Sequence, residues 1–380
     1  MFTNVEQARL GRILPGNAPF PSALIVGAGL IGTSLGLALR NAGADVLFQD
    51  SNAFNAALAN DLVGSASISG GEIESPALIV VATPISAIPA LVSDLLNKYQ
   101  ESIVIDVGGL KSKVHNELKE LTVNLAHYVS VHPMAGREVS GPGAARADLF
   151  EGRAWIVTPA QGSSERAVAA ARSLGEVAGS TVYELDAEAH DEAMALVSHF
   201  PQMVASLLGS TLARSIGNQA AEEQLALAGQ GLRDTSRLAA SDSAFWSELL
   251  IANSLVDAAL LRNLAEEAIE LATALESGRA EKVRSILDTG RAGQAKIPGK
   301  HGAKARDYTY LPVVINDAPG QLALLFEECA RAGVNVEDLS IEHSPGQATG
   351  LITLALSEQD AFTLQEHLTT TGWSAHIPRK

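Results

Sequence analysis

A single cysteine, Cys329, stands among 380 residues. That excludes an internal disulfide framework and fits a reducing, cytoplasmic setting. Basic side chains are also scarce: 27 Lys and Arg against 43 Asp and Glu leave a formal net charge of −16. A surface that negative lacks the clustered cations that nonspecific nucleic-acid or anionic-membrane binding requires, so neither partner is expected. An anionic ligand must then be captured by a few well-placed cations against the overall field. Charge is absent altogether from Ile13 to Leu39, a length that could span a bilayer. Pro15, Pro19 and Pro21 break its first third, however, and Gly27, Gly29, Gly32 and Gly36 punctuate the rest. No basic segment precedes a compact apolar core with a small-residue cleavage site, which speaks against a signal peptide. The stretch reads as a buried strand leading into a buried helix. Tandem repeats and low-complexity tracts are missing too, and the balance of 47% hydrophobic to 18% charged residues describes a folded chain.

At about 150 residues per domain, the length suggests two to three domains. Residues 1–21 read as a leader. Over 22–186, apolar runs alternate with helical patterns; the runs are Ala23–Val26, Asp45–Phe48, Ala77–Ala82, Ile103–Asp106, Tyr128–Val131 and Ala154–Thr158. Continuous rather than alternating apolar strands suggest a parallel sheet covered on both faces, a Rossmann-like, doubly wound α/β domain. Over 187–290 the strand signals vanish, and apolar positions such as Leu249, Leu250, Val256, Leu260 and Leu261 recur at helical spacing. This all-α domain carries too much apolar surface to stand alone, so packing on the first domain or on a second subunit is expected. Residues 291–306, with Gly293, Pro298, Gly299 and Gly302, read as a linker. Over 307–380 the pattern becomes β-α-β-β-α-β, the ferredoxin-like order.

The first chemical signal is Gly27-Ala28-Gly29-Leu30-Ile31-Gly32, which follows an apolar strand and opens a helix. That is the context in which G-x-G-x-x-G binds a dinucleotide. Gly27 permits the tight turn, Gly29 lets the backbone approach a pyrophosphate, and Gly32 lets helix and strand pack closely. The phosphates then meet the helix N-terminus, whose free N–H groups favour an anion. Asp50 ends the next strand, where a carboxylate accepts hydrogen bonds from ribose hydroxyls and repels a 2′-phosphate; NAD is therefore favoured over NADP. Thr83-Pro84, at the end of a later strand, lies on the expected path of the ribose and nicotinamide, or else makes an ordinary strand-ending turn.

The second signal is a set of histidines and cations. His132 follows a strand at the same carboxyl edge. A neutral imidazole there can accept the proton of a substrate hydroxyl while hydride leaves the same carbon. His190-Asp191 and Ser198-His199-Phe200-Pro201 mark the entry to the helical region. The two histidines are too far apart to share a helix face, and no cysteine or extra carboxylate joins them, so no metal site is expected. Ser198 and His199 reach a cleft or cap a helix. In Gly229-Gln-Gly-Leu-Arg-Asp-Thr-Ser-Arg237, Arg233 and Arg237 are candidate carboxylate clamps, because a guanidinium binds a carboxylate bidentately. Surface pairing with Asp234 or Glu248 is the alternative.

Together these motifs resemble the prephenate dehydrogenase family, which includes the arogenate dehydrogenases, over roughly residues 22–290. His132-Pro-Met-Ala-Gly136 followed by Ser140-Gly141, Leu149-Phe-Glu-Gly152 and Ile156-Val-Thr-Pro159 is similar to its catalytic-histidine segment. Asp234-Thr-Ser-Arg237 with Ser241-Asp242 and Trp246 is similar to its carboxylate-arginine segment. The resemblance implies that His132 activates the substrate's ring hydroxyl and that Arg237 binds a substrate carboxylate. It further implies that Lys111 sits near nicotinamide and substrate, while Ser198, His199, Gln202 and Trp246 shape the pocket. Gly109 stands where many members have a serine, and Gln202 where some have another histidine. From Tyr308 the chain resembles an ACT domain, with Asp317, Pro319 and Gly320 in its ligand turn; that implies feedback by tyrosine, with a purely structural dimerisation module as the alternative. The expected function is NAD-dependent oxidative decarboxylation of prephenate to 4-hydroxyphenylpyruvate by a homodimer. Arogenate dehydrogenase and a non-catalytic sensor of NAD and an amino acid are the alternatives.

Overall fold

The computed structural model describes residues 19–65, 74–121, 124–136, 140–215, 224–297, 308–343 and 348–379. Most of the expected leader, residues 1–18, and the expected linker from 298 onward lie outside them. The chain divides into two compact units, Met1–Glu270 and Leu271–Lys380.

The first unit is built on strands β1 (Ser22–Val26), β2 (Asp45–Gln49), β3 (Leu78–Val81), β4 (Ile103–Asp106), β5 (Tyr128–Pro133), β6 (Ala154–Thr158) and β7 (Thr181–Glu184). They form one sheet in the order β2-β1-β3-β4-β5-β6-β7. Helices α1 (Leu30–Asn41), α2 (Ala53–Val63), α3 (Ile88–Lys98), α4 (Ser112–Glu120) and α5 (Glu165–Val177) are interleaved with the strands. The central strands β1, β3 and β4 are almost wholly apolar because both faces are covered. Ala23, Ile25, Leu78, Val80, Ile103 and Ile105 share a core with Leu35 and Leu39 of α1 and Ala167 and Ala171 of α5. Leu24, Ile79, Val81 and Val104 point the other way, onto Ile88 and Val92 of α3 and Val114 and Leu118 of α4.

Two features differ from the sequence expectation. The sheet is not wholly parallel: β1 to β5 are, but β6 runs antiparallel to β5, pairing His132 with Ile156. A parallel return requires a crossover, usually a helix. Among the described residues the β5–β6 connection holds no α-helix, only a single 3-10 turn at Pro142–Ala144 and turns over 147–152, so the chain comes back along the same edge. Arg146 N–H, bonded at 3.0 Å to Ser34 Oγ of α1, ties this loop down over the carboxyl ends of the parallel strands. The second difference is β7, which the reading for apolar runs passes over. It is an edge strand, Thr-Val-Tyr-Glu, alternating and partly exposed.

Helices follow: α6 (Ala187–Met194), α7 (Phe200–Ser215), α8 (Gln230–Ser236), α9 (Ser243–Ala252) and α10 (Ser254–Glu276). Asp186 opens α6 by accepting the Ala189 N–H at 2.8 Å, and Asp242 opens α9 by accepting those of Ala244 and Phe245. Between α6 and α7, Ala195–His199 make a π-helical turn. Leu249 of α9 is buried in the α3–α4 core. On the other hand, Phe245, Ile251 and Leu255 are 55%, 75% and 89% exposed. No single helix among the described residues is long and apolar enough to cross a membrane.

In the second unit, helix α11 (Ala280–Gln294) is followed by β8 (Thr309–Asn316), α12 (Gln321–Arg331), β9 (Asp338–His343), β10 (Thr349–Leu356), α13 (Glu358–Thr370) and β11 (Ser374–Ala375). The four strands form an antiparallel sheet in the order β11-β8-β10-β9. Leu311, Val313, Ile352 and Leu354 of the sheet pack on Leu325, Cys329, Leu364 and Leu368 of the two helices.

Candidate functional site

The parallel strands all end at one edge, and there the sheet presents the glycine loop after β1, Asp50 after β2, Thr83 after β3, Asp106 at the end of β4 and His132 near the end of β5. Ligands of open α/β sheets bind at that edge.

The glycine loop has the shape of a phosphate cradle. Gly27 has φ +104°, and a Cβ there would lie 2.2 Å from the Ala82 carbonyl oxygen. A Cβ on Gly32 would lie 2.1 Å from the Gly27 carbonyl oxygen. Around Gly29, by contrast, an added Cβ would meet nothing within 4 Å. Two glycines thus close the turn and the third faces open space. The first turn of α1 carries neither a side-chain cap nor an acidic residue, which leaves the N–H groups at Leu30 and Ile31 available to an anion. Asp50 holds the loop from below: its Oδ2 accepts the Ala28 N–H at 2.7 Å and its Oδ1 the Asn52 N–H at 2.7 Å. A Cβ on Gly27 would also lie 3.2 Å from Thr83 Cγ2; Thr83 Oγ1 is buried without a protein partner, whereas Pro84 is exposed. These residues fit a dinucleotide.

Beneath His132 lies a fully buried charge pair. The Lys111 ammonium is 3.0 Å from Asp106 Oδ1 and donates to the Val131 carbonyl at 2.6 Å. Asp106 also accepts from Tyr128 Oη at 2.7 Å, from Ser130 Oγ, and from the Gly108 N–H at 2.9 Å. Burial alone would raise the Asp106 carboxyl, but Lys111 and these donors outweigh it and hold it below the usual carboxylate value. Burial lowers Lys111 despite its partner. The sequence reading has Lys111 near nicotinamide and substrate; the structure places it directly under the residue before His132. Its ammonium has no exposed surface and is engaged by Asp106 and Val131.

The start of α4 has no side-chain cap of its own. Asp191, on α6, supplies one from a distance of 80 residues in sequence: Oδ1 accepts the Lys111 N–H at 2.9 Å and Oδ2 the Ser112 N–H at 2.8 Å. The Asp191 carbonyl in turn accepts from Asn253 Nδ2 at 3.1 Å. His190 Nδ1 is 2.7 Å from Asp191 Oδ1, and His190 Nε2 is 2.9 Å from His132 Nδ1. Burial is the largest cause holding His132 well below the usual histidine value, and His190, Lys111 and His199 act in the same direction. His132 is therefore a neutral imidazole.

A second group adjoins this chain. The π-helical turn brings His199 to 1% exposure, with Nδ1 3.0 and 3.1 Å from the Asp257 carboxylate and the ring edge-on to Trp246 at 6.0 Å. Gln202 donates Nε2 to the Leu238 carbonyl at 2.9 Å and to Ser206 Oγ at 3.1 Å, leaving Oε1 buried without a protein partner. Ser198 is half-buried. Arg237 adjoins Leu238 on the turn Arg237–Ala240 and is exposed, as is Arg233. Of the rival partners weighed for them, Asp234 accepts from Gln230 and Glu248 from the Ser86 N–H. The structure thus joins His132 to His190, Asp191 and Lys111, and His199 to Trp246 and Asp257. Reading the sequence missed Asp106, Ser130, Tyr128 and Asp257. The signal was present at two of them, an acid ending the apolar run Ile-Val-Ile-Asp106 and one inside the apolar stretch Ser254-Leu-Val-Asp257.

Two family models match. Residues 35–184 match the nucleotide-binding domain of prephenate dehydrogenase, and residues 186–289 its dimerization domain. The chain belongs to the prephenate dehydrogenase family. A probable prephenate dehydrogenase of Streptomyces niveus, NovF, is 32% identical over 93% of this chain and 99% of its own length. The Bacillus subtilis prephenate dehydrogenase is 26% identical over 89% and 92%. Among solved structures, the Aquifex aeolicus prephenate dehydrogenase in complex with hydroxyphenyl propionate and NAD+ has a TM-score of 0.64 at 24% identity, covering 72% of this chain and 97% of that one. Synechocystis arogenate dehydrogenase has a TM-score of 0.61 at 24% identity, covering 72% and 99%. At that identity the two solved structures show the fold alone. The first family model begins downstream of the glycine loop and the second ends before β8.

Proposed function

We propose that the chain is an NAD-dependent prephenate dehydrogenase that oxidises and decarboxylates prephenate to 4-hydroxyphenylpyruvate and carbon dioxide. The observation that carries this reading is the neutral His132, seated at the carboxyl edge of the sheet with its Nδ1 already engaged by His190. Its family, and the substrate names of its relatives, point the same way.

NAD, when bound, supplies the hydride acceptor; Gly27, Gly29, Leu30, Ile31, Gly32, Asp50, Thr83 and Pro84 are the residues that would hold it. His132 takes the proton of the ring hydroxyl as the carbon bearing it loses hydride. The ring ketone then draws the electron pair released when the carboxylate leaves as carbon dioxide, which makes the ring aromatic. His132 returns its proton to the phenolate oxygen, so the reaction needs no other acid. Aromatisation provides the driving force, and the protein's task is orientation. Arg237 clamps a substrate carboxylate; Ser198, His199, Gln202 and Trp246 shape the pocket.

The apolar residues exposed on α9 and α10 and the description of the second family model support a homodimer. The β-α-β-β-α-β order of the second unit supports an ACT domain that takes tyrosine as a feedback ligand at Asp317, Pro319 and Gly320. These three are exposed, Gly320 has φ +88°, and a Cβ there would meet nothing within 4 Å. Cys329, buried and unpaired, agrees with a reducing cytoplasm.

The test is NADH absorbance with prephenate and with arogenate, each with NAD and NADP, with and without tyrosine. Prephenate with NAD is expected to give the highest kcat/KM, and His132→Asn to lower kcat about a hundredfold or more with a smaller effect on KM. Absence of prephenate-dependent NADH would overturn the reading. A higher kcat/KM with arogenate would favour the second reading, a choice on which Gln202, standing where some family members carry a histidine, bears.

A further inference from the structure

We infer that Asp191 and His190 set the tautomer of His132, keeping the proton on Nδ1 and an open lone pair on Nε2 facing Gly109. The inference rests on the reading of His132 as the base, and it makes His190 and Asp191 positioning residues rather than parts of a helix entry.

Donors and acceptors alternate along one hydrogen-bonded series from Asp191 through His190 to His132. Asp191 accepts two backbone N–H groups at the start of α4, at 2.9 and 2.8 Å. An ionised carboxylate has only acceptor sites to offer, so the 2.7 Å contact to His190 requires a proton on His190 Nδ1. Burial acts to raise Asp191, but the His190 bond and the N–H groups of Lys111 and Ser112 prevail and keep it ionised. His190 is fully buried, and its burial outweighs the pull of Asp191, so the ring stays neutral with a bare Nε2. The 2.9 Å contact from that nitrogen to His132 Nδ1 then has one possible donor, His132 itself. A neutral ring carries a single N–H, which leaves Nε2 of His132 unprotonated. A Cβ built on Gly109 would lie 3.9 Å from that atom, so it faces the side where Gly109 leaves room.

Lys111 braces both ends of the chain. Its ammonium holds the carbonyl of Val131, the residue before His132, and its backbone N–H holds Asp191. The logic matches that of the serine-protease triad, where an aspartate fixes the tautomer of a histidine and its amide replacement costs about 10⁴ in kcat by inverting it. Here one more imidazole stands between carboxylate and base. When His132 takes the substrate proton, the imidazolium keeps its Nδ1 donor bond to His190.

Nitrogen-15 NMR of histidine side chains in the full-length protein, with His132 assigned by its loss in His132→Asn, reads the tautomer directly. Wild type is expected to show His132 protonated on Nδ1. In Asp191→Asn an amide N–H turned to His190 Nδ1 moves that ring's proton to Nε2 and puts His132 into the opposite tautomer, whereas the amide oxygen kept at that place leaves both rings as they are; the spectrum tells the two orientations apart. Where the tautomer changes, kcat is expected to fall about a hundredfold or more, with KM for prephenate within roughly threefold. Wild-type His132 protonated on Nε2 would overturn the inference, and that spectrum needs no variant to fold. A folded Asp191→Asn protein in which His132 changes tautomer while kcat stays unchanged would overturn it equally. If wild-type protein reduces no NAD with prephenate, the proposed activity fails, while the spectrum still decides the tautomer.

Discussion

Gly109 and His132 are neighbours across a gap one hydroxyl wide: a Cβ at 109 would lie 3.9 Å from His132 Nε2 and 3.1 Å from Leu249 Cδ1. A serine there puts a donor beside the lone pair that takes the substrate proton. Gly109→Ser is therefore expected to stabilise the neutral ring, move the acid limb of the kcat/KM profile to lower pH, and reduce kcat roughly fivefold, the equivalent of one hydrogen bond of about 1 kcal/mol. Gly109→Ala introduces the same contact with Leu249 without the hydroxyl. Identical pH profiles for the two variants would place Nε2 elsewhere.

Lys111→Met separates the two roles considered for this lysine. Removing one partner of a buried pair leaves the other uncompensated, at a cost of about 3–5 kcal/mol. Thermal denaturation should show that loss, and Asp106→Asn in the same chain should restore a large part of it, since Ser130 and Tyr128, which share one oxygen of Asp106, can still bond the amide oxygen. A variant of wild-type stability with a raised KM would instead return Lys111 to the substrate.

What the sequence reveals of this site follows how local each part is. The glycine loop, Asp50 and His132 are legible because strand, turn and helix adjoin in the chain and carry their own spacing. The chain from His132 to Asp191 is not, because its members meet across 58 and 80 residues and nothing in the period of α6 says which strand its polar face will find. Asp257 and His199 are likewise 58 residues apart, on helices whose pattern reads as apolar. The βα alternation is plain in continuous apolar runs, whereas β7, exposed along one edge, has no such run to show. The reversal at β6 depends on the absence of a crossover helix, a negative feature that six similar apolar runs do not reveal.

Arg237 is exposed, so its loss should leave the fold intact. Arg237→Leu is expected to raise KM for prephenate about ten- to hundredfold, the range of a hydrogen bond between charged groups, with kcat changed far less. Arg237→Lys should recover part of that loss only, because an ammonium lacks the planar fork. Steady-state kinetics of both variants decide it; an unchanged KM in Arg237→Leu removes the clamp.

Asp50 has two tasks that one substitution uncouples. Its oxygens hold the Ala28 and Asn52 N–H groups, and its charge opposes a 2′-phosphate. Asp50→Ser should therefore weaken NAD binding and, independently, raise the NADP-to-NAD ratio of kcat/KM about tenfold, the equivalent of 1.4 kcal/mol. A ratio equal to that of wild type would contradict a ribose contact.

His115 offers a pH test of stability away from the reaction. It lies edge-on to Tyr128 with Nε2 buried and without a protein partner, and burial lowers it to about 4 against the pull of Asp106 and Asp191, with Lys111 and His190 adding to the lowering. In the unfolded chain the same ring takes a proton near 6.5. Between those values the unfolded state binds the extra proton, so wild-type stability falls as pH drops from about 6.5 towards 4, by on the order of 3 kcal/mol across the window. Leucine does not titrate. Melting temperatures of His115→Leu and wild type should therefore differ by a constant amount above pH 7, and the difference should move in the variant's favour as pH falls to 5. A difference that is the same at pH 7.5 and pH 5 would mean that His115 takes up its proton as readily in the folded protein as in the unfolded chain.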